Sequence, residues 1–121
     1  MQLDHINIVT PDLDATSAFL CDVVGFSVGP RPNFTRKGVW LYGEEGGVAL
    51  VHITLGDSRD GPTGPLDHVA FRADDKNALI ARLEAHGIEY TTQVVPDRAI
   101  DQIYFRAPFG LRIEVDFHPK G

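Results

Sequence analysis

The amino-acid sequence predicts an α+β fold made of two tandem βαβββ modules with curved mixed sheets. The tripeptide Leu-Asp-His occurs twice, at residues 3–5 and 66–68, and each copy opens the same order of predicted elements. The segment between them contains three glycines, two prolines and no apolar residue, which is typical of a linker. Because 121 residues suit one domain, we predict a single domain over 1–121, divided into module one (1–55), the linker (56–65) and module two (66–121).

Module one begins with a predicted half-buried strand at residues 3–9, where apolar and polar side chains alternate with a period of two. Thr10 followed by Pro11 is typical of a helix start, since threonine caps free amides and proline fixes φ. A helix is therefore predicted at 13–23, ending at Gly25. The other strands of module one are predicted at 26–28, 39–42 and 48–55.

Module two repeats this order. A strand is predicted at residues 66–72, and a helix at 75–86 with Leu79 and Leu83 on its buried face and Gly87 as its stop. The remaining strands are predicted at 88–95, 100–107 and 111–117. The order strand, helix and three strands thus occurs twice.

Composition limits the classes of partner. Eleven basic and seventeen acidic side chains give a formal net charge of −6, which argues against nucleic acid, because phosphates require a concentrated basic surface. A small molecule is the expected partner. The sequence shows neither a long apolar run nor a charged, cleavable leader, so we expect no membrane insertion and a cytoplasmic location.

Four potential metal ligands occur at equivalent positions in the two modules: His5, His52, His68 and Glu114. Alternation places each of them on the strand face opposite its aliphatic neighbours, as His52 lies between Val51 and Ile53. Imidazole nitrogen together with carboxylate oxygen suits iron, manganese, cobalt, nickel or zinc, whereas calcium requires more oxygen ligands. The sequence therefore predicts one divalent metal ion per site, in a metal-binding cleft lined by the polar faces of the sheets.

The histidines do not all have the same interpretation. His52 is open to three roles: a metal ligand, a general base, or a residue that orients a ligand. His86 lies at a helix C-terminus, where an imidazole complements the dipole without a catalytic role. We assign His86 and the C-terminal His118 to structure or solvent.

The sequence resembles the vicinal oxygen chelate superfamily, which includes glyoxalases, bleomycin resistance proteins and extradiol dioxygenases. The resemblance lies in Leu3-Asp4-His5-Ile6, Pro11-Asp12-Leu13, Val24-Gly25-Phe26, Leu66-Asp67-His68-Val69-Ala70 and Gly110-Leu111-Arg112-Ile113-Glu114-Val115. It implies a glyoxalase-like fold and a divalent metal held by His5, His68 and Glu114, within one chain or across a dimer. It also implies a homodimer.

The sequence departs from the family pattern at two places. His52 stands where glyoxalase I has a glutamate, which removes a carboxylate base. The turn before the last strand, at residues 107–110, reads Ala-Pro-Phe-Gly instead of Asp-Pro-Asp-Gly. Two histidines and one carboxylate match the ligand triad of extradiol dioxygenases, in which a fourth ligand at His52 would close a position needed by substrate or oxygen.

Substrate specificity is predicted to arise mainly from residues 31–42, where three cations and three aromatic residues occur in an otherwise acidic chain. Such a set suits an anionic or aromatic ligand, although aromatic packing in the core with solvated cations is an equal alternative. Two polar residues on the seventh strand, Gln102 and Tyr104, share one face and extend the candidate site. The predicted substrate-binding residues are Arg31, Phe34, Arg36, Trp40 and Gln102.

These observations predict a metal-dependent lyase or isomerase/epimerase whose small substrate chelates the ion through adjacent oxygens. His52 and Tyr104 are the predicted catalytic proton-transfer groups. Two alternatives stay open. One is an extradiol-type ring-cleaving dioxygenase with Fe(II), and the other is a non-catalytic small-molecule binding protein like those that confer bleomycin resistance.

Overall fold

A computed structural model describes residues 2–57, 63–96 and 98–119. The chain divides into two compact units, Met1–Asp60 and Gly61–Gly121, each with one four-stranded sheet. Both units have the element order βαβββ, which confirms the predicted α+β class. Residues 58–62 of the predicted linker lie outside the described residues.

Unit one contains a sheet with strand order β1-β4-β3-β2. Its outer strand β1 runs parallel to β4, and the other pairs are antiparallel. The ladder between β3 and β4 is interrupted by a bulge at Leu41 and Tyr42. The elements are β1 Ile6–Thr10, α1 Leu13–Phe19, a π-helical turn Leu20–Val24, β2 Ser27–Gly29, β3 Gly38–Tyr42 and β4 Ala49–Leu55.

Unit two repeats the topology with strand order β5-β8-β7-β6, and β5 runs parallel to β8. Its other pairs are antiparallel and without a shift in register. The elements are β5 Val69–Arg72, α2 Lys76–Ala85, β6 Tyr90–Val95, β7 Ile100–Arg106, a 3-10 turn Pro108–Gly110 and β8 Arg112–Phe117.

The first strand of each unit begins three residues later than predicted. Ile6 pairs with Val51, and β4 begins only two residues before that partner, so Leu3 has no strand residue opposite it. The same holds in unit two, where Val69 is the first paired residue. Both histidines of the repeated tripeptide therefore lie immediately before a strand.

The start of α1 differs from the prediction in its capping residue. Asp12, not Thr10, caps α1 through a 3.0 Å hydrogen bond from the Ala15 amide to its carboxylate. The Thr10 hydroxyl instead shares a 2.8 Å hydrogen bond with the buried hydroxyl of Thr16, since both side chains face the interior. The predicted helix 13–23 is α-helical only to Phe19 and then widens into the π-helical turn.

Each sheet buries its aliphatic face. The buried aliphatic residues include Leu20, Val23, Leu41, Val51 and Ile53 in unit one and Leu79, Leu83, Ile103, Ile113 and Val115 in unit two. Because side chains alternate across a strand, the opposite faces carry the polar candidates of the site. None of the described helices is long and apolar enough to cross a membrane.

Candidate functional site

His5 is held by the residue before it. Its Nδ1 lies 2.6 Å from Oδ2 of Asp4. Since a carboxylate oxygen accepts hydrogen bonds, Nδ1 is the donor, and Nε2 is the ring nitrogen left to bind a metal. Metal-ligating histidines are usually oriented by such a contact.

His68 is held in the same way in unit two. Its Nδ1 lies 2.7 Å from Oδ2 of Asp67, and the same oxygen accepts a 2.8 Å hydrogen bond from Nη1 of Arg112. These contacts, first that with His68 and then that with Arg112, hold the pKa of Asp67 below its usual range. The Asp-His hydrogen bond is thus a repeated structural feature, one copy per unit.

Glu114 lies on β8 with its side chain buried. Its Oε1 is 3.0 Å from Nε2 of His68, and its Oε2 accepts a 3.1 Å hydrogen bond from the Gln102 amide. With Nδ1 already donating, a second ring proton or a metal cation must lie between Nε2 and Oε1. The spacing fits one ion, because two ligands at about 2.1 Å and a right angle are about 3 Å apart.

The surroundings of Glu114 favour its anion. Burial raises the pKa of Glu114, but hydrogen bonds with Asp116 and Tyr104 and the nearby His68 outweigh it and hold this pKa below its usual range. Asp116 shows the opposite effect, since burial and the Glu114 carboxylate raise its pKa. Interaction with Glu114 likewise raises the pKa of Tyr104, because the carboxylate favours the neutral phenol. These contacts therefore favour Glu114 as a carboxylate anion.

His52 lies on β4 between two aromatic rings. Its ring is stacked on His5, with centroids 3.8 Å apart and planes at 14°, and on Trp40, at 4.0 Å and 12°. Burial and then the neighbouring His5 lower the pKa of His52, which favours a neutral imidazole. An imidazole binds a metal through a lone pair in the plane of its ring, and the lone pairs of two nearly parallel rings do not converge. The structure thus brings His5 and His52 together as a stack.

The predicted substrate-binding residues of unit one divide into two groups. Arg31 lies over the ring of Phe34, with Cζ 5.0 Å from the centroid, and Phe34 lies 6.2 Å from the Trp40 ring. These three residues extend the stack around His52. Arg36 instead donates from Nε to the Leu55 carbonyl at 2.9 Å, so it supports the end of β4.

The four predicted donors form two pairs, His5 with His52 in unit one and His68 with Glu114 in unit two. Within residues 2–57, 63–96 and 98–119, no three His, Cys, Asp or Glu side chains are arranged to hold a metal ion. Sequence reasoning gave no role to Asp4, Asp67, Arg112 or Asp116. The signal for Asp4 and Asp67 was that each directly precedes the His of the repeated tripeptide. The signal for Arg112 and Asp116 was that each lies two residues from Glu114 on β8, which places it on the same face.

Comparison with known proteins gives relatives of similar length. The chain is 28% identical over 121 residues to the uncharacterized protein YaeR of Escherichia coli K12, covering 94% of both chains. Among solved structures, it matches the fosfomycin resistance protein FosX from Listeria monocytogenes, complexed with Mn(II) and 1S,2S-dihydroxypropylphosphonic acid. That match has a TM-score of 0.76 and 21% identity, covering 98% of this chain and 92% of FosX.

A second solved structure, lactoylglutathione lyase from Agrobacterium tumefaciens, matches with a TM-score of 0.65 and 24% identity, covering 96% of this chain and 92% of the lyase. These likenesses show that the fold is glyoxalase-like. A family model described as the Glyoxalase/Bleomycin resistance protein/Dioxygenase superfamily matches residues 2–115, and the chain therefore belongs to that superfamily.

Proposed function

We propose that this chain is a divalent-metal-dependent enzyme, a lyase or isomerase/epimerase acting on a small substrate that chelates the metal through adjacent oxygens. The observation that carries the proposal is the repeated Asp-His hydrogen bond, which occupies Nδ1 of His5 and His68 and leaves Nε2 as the ring nitrogen that can bind a metal, in His68 at 3.0 Å from the Glu114 carboxylate. FosX, which shares the fold, was crystallised with Mn(II), and another protein of this fold is a lyase. By family resemblance we expect a homodimer.

The ligands we propose are His5, His68 and Glu114. A bound divalent cation would supply Lewis-acid polarisation of the substrate oxygens. The protein's own contribution is to orient the donors. Asp4 and Asp67 orient the imidazoles of His5 and His68 through their hydrogen bonds to Nδ1. On β8, the Gln102 amide holds one Glu114 oxygen at 3.1 Å, and the other faces His68.

We propose that His52 transfers a proton and is not the fourth ligand. Its stacked ring does not aim a lone pair at the point that His5 faces, and its lowered pKa leaves the imidazole neutral and able to accept a proton. Tyr104 is the second candidate, since the neutral phenol favoured by Glu114 can donate. Arg31, Phe34 and Trp40 offer a cation and aromatic faces to the substrate.

The stacking of His52 also favours a second candidate function, an extradiol-type dioxygenase with Fe(II). Without His52, the ligand set is two histidines and one carboxylate, which in ferrous oxygenases leaves positions free for substrate and oxygen. Lyase or isomerase chemistry stays our first choice, because a neutral histidine and a phenol beside the ligands suit proton transfer.

The first prediction concerns metal content. Protein prepared under metal-replete conditions should carry roughly one divalent ion per chain, and His68→Ala and Glu114→Ala should each lower this at least about tenfold, since each removes a ligand. Elemental mass spectrometry gives both the amount and the identity of the ion. His86→Ala is the matched control, because His86 lies at the end of α2, where its ring contacts the Arg82 carbonyl at 2.8 Å. Near-zero metal in every sample would leave the non-catalytic binding protein as the better interpretation.

The second prediction concerns the orienting carboxylates. Asp67→Asn should weaken Mn(II) binding about 10- to 100-fold, because an amide orients the His68 ring less firmly and makes it a weaker ligand. Electron paramagnetic resonance of free Mn(II) measures this affinity. Asp74→Asn, at an exposed position, makes the same change in net charge and should bind as the wild type does. Equal affinities for all three proteins would contradict an orienting role.

The third prediction distinguishes proton transfer by His52 from a role of His52 as a metal ligand. His52→Gln should retain the Mn(II) affinity of the wild type, because its ring is stacked and not aimed at the ion, whereas His5→Gln should lose at least about tenfold. Isothermal titration calorimetry measures both. A similar loss in the two variants would make His52 a ligand.

The fourth prediction separates the two candidate functions. After anaerobic reconstitution with Fe(II), a lyase or isomerase should show no catechol-dependent oxygen uptake above that of free Fe(II). An oxygen electrode with catechol and 4-methylcatechol measures the rate. Uptake that is lost in Glu114→Ala would instead establish the dioxygenase.

A further inference from the structure

Two arginines lie directly opposite each other on neighbouring strands of unit two. Arg106, the last residue of β7, is the direct partner of Arg112, the first residue of β8. Like charges at directly opposite positions of an antiparallel pair destabilise the sheet. The strand pair therefore carries an electrostatic cost that the ion pair of Arg112 with Asp67, at 2.8 Å, offsets in part and that an anion between the two guanidinium groups would offset further.

Each guanidinium is anchored and still has donors free. Arg106 donates from Nη1 to the Gly110 carbonyl at 2.9 Å. Arg112 donates from Nη1 to Asp67, and its Cζ lies 4.6 Å from the Tyr104 ring centroid. A guanidinium has five N–H donors, so most donors of both groups stay available. The anchors keep the two groups in place before any ligand binds.

Arg106 and Arg112 both line two cavities. The larger has a volume of 820 Å³ and is also lined by Tyr90, Thr91 and Tyr104, with Glu89 as its acidic residue. The smaller has a volume of 510 Å³ and is also lined by Thr63, Gly64, Leu66, Asp67 and Gly110, with Asp67 as its acidic residue. Both volumes suit small-molecule ligands.

The pair lies on the same sheet face as the candidate ligand Glu114. Arg112 and Glu114 are two residues apart on β8, and Arg106 and Tyr104 are two apart on β7, where Tyr104 is the partner of Glu114. Two residues along a strand span about 6.5–7 Å and return to the same face. A ligand held by the arginines thus lies on the same sheet face as Glu114, two residues away along the strand.

We propose that Arg106 and Arg112 form an oxyanion subsite that holds a carboxylate or phosphoryl group of the substrate. Guanidinium groups bind such planar or tetrahedral oxyanions through paired, charge-assisted hydrogen bonds. That the anion belongs to the substrate rests on the proposed function, whereas the binding of an anion does not require the metal. The substrate is then a small anionic molecule with its charged end at the arginine pair.

The test uses inorganic phosphate as the probe and the whole 121-residue chain, free of metal, at constant ionic strength. Titration followed by ¹H–¹⁵N NMR should give saturable shifts at backbone amides of β7 and β8. Arg106→Gln and Arg112→Gln should each raise the dissociation constant at least about tenfold, as expected for loss of a charge-assisted pair of hydrogen bonds. Arg98→Gln, at an exposed position in the β6–β7 turn, makes the same change in net charge and should leave the constant unchanged.

Wild-type affinity in either Arg106→Gln or Arg112→Gln would overturn the subsite, and so would an equal loss in Arg98→Gln. Arg112→Gln also removes a hydrogen bond to Asp67, which contacts the candidate ligand His68. Arg106→Gln tests the subsite without that effect, because Arg106 contacts the Gly110 backbone carbonyl. Metal content measured on separate, metal-replete preparations of the same proteins keeps the two proposals separate. Phosphate binding by the metal-free protein, together with near-zero metal in the metal-replete preparations, would contradict the proposed function and leave the subsite standing.

Discussion

The parallel pairing of the first and last strands of each unit is the constraint on which the candidate site depends. Asn7 pairs with His52, and Ala70 pairs with Glu114. A parallel pair needs a long crossover, which the helix and the two intervening strands supply. Because the register is the same in both units, the histidine two residues before Asn7 or Ala70 lies beside the donor on the last strand. One pairing rule thus creates a donor pair twice.

The two units surround equivalent donors with different chemistry. Trp40 is the cross-strand partner of His52, and Tyr104 is the cross-strand partner of Glu114. In unit one the indole stacks on the imidazole and shields it from water, which disfavours the charged ring. In unit two the partner is a phenol whose hydroxyl lies 3.3 Å from Gln102 in the polar network around the anion. The equivalent positions therefore favour a neutral imidazole in one unit and a carboxylate anion in the other.

Strand alternation was enough to predict the sheet faces, because it depends only on neighbours in sequence. The aliphatic residues on either side of His52 and Glu114 are buried as expected. Strand ends could not be predicted this way, since Leu3 is left unpaired by where β4 begins. The helix cap at Asp12 in place of Thr10 likewise depends on the Thr10–Thr16 contact, which only the folded chain makes.

The candidate site was harder to predict than the fold, since its contacts cross strands. The stack of Trp40 on His52 requires the register of β3 on β4. The contact of Arg112 with Asp67 joins residues far apart in sequence. Asp67 beside His68 was visible in the sequence, but an adjacent pair shares a hydrogen bond only when the backbone turns both side chains to one side. Here that backbone is the unpaired segment before β5.

The positions of unit one that correspond to Arg106 and Arg112 hold Tyr42 and Leu50, and a bulge keeps these two from pairing directly. In unit one the register shifts after Leu41, so that Tyr42 pairs with Ala49 and Leu50 is left over. In unit two the same ladder continues without a shift to Arg106 and Arg112. Within the described residues, the proposed oxyanion subsite thus accompanies only the donor pair of unit two. A ligand anchored at that subsite meets Glu114 from one direction, because charge fixes which end of the molecule lies at the arginines. The difference between the two units therefore suits the proposed substrate, a small molecule with its charged end at the arginine pair.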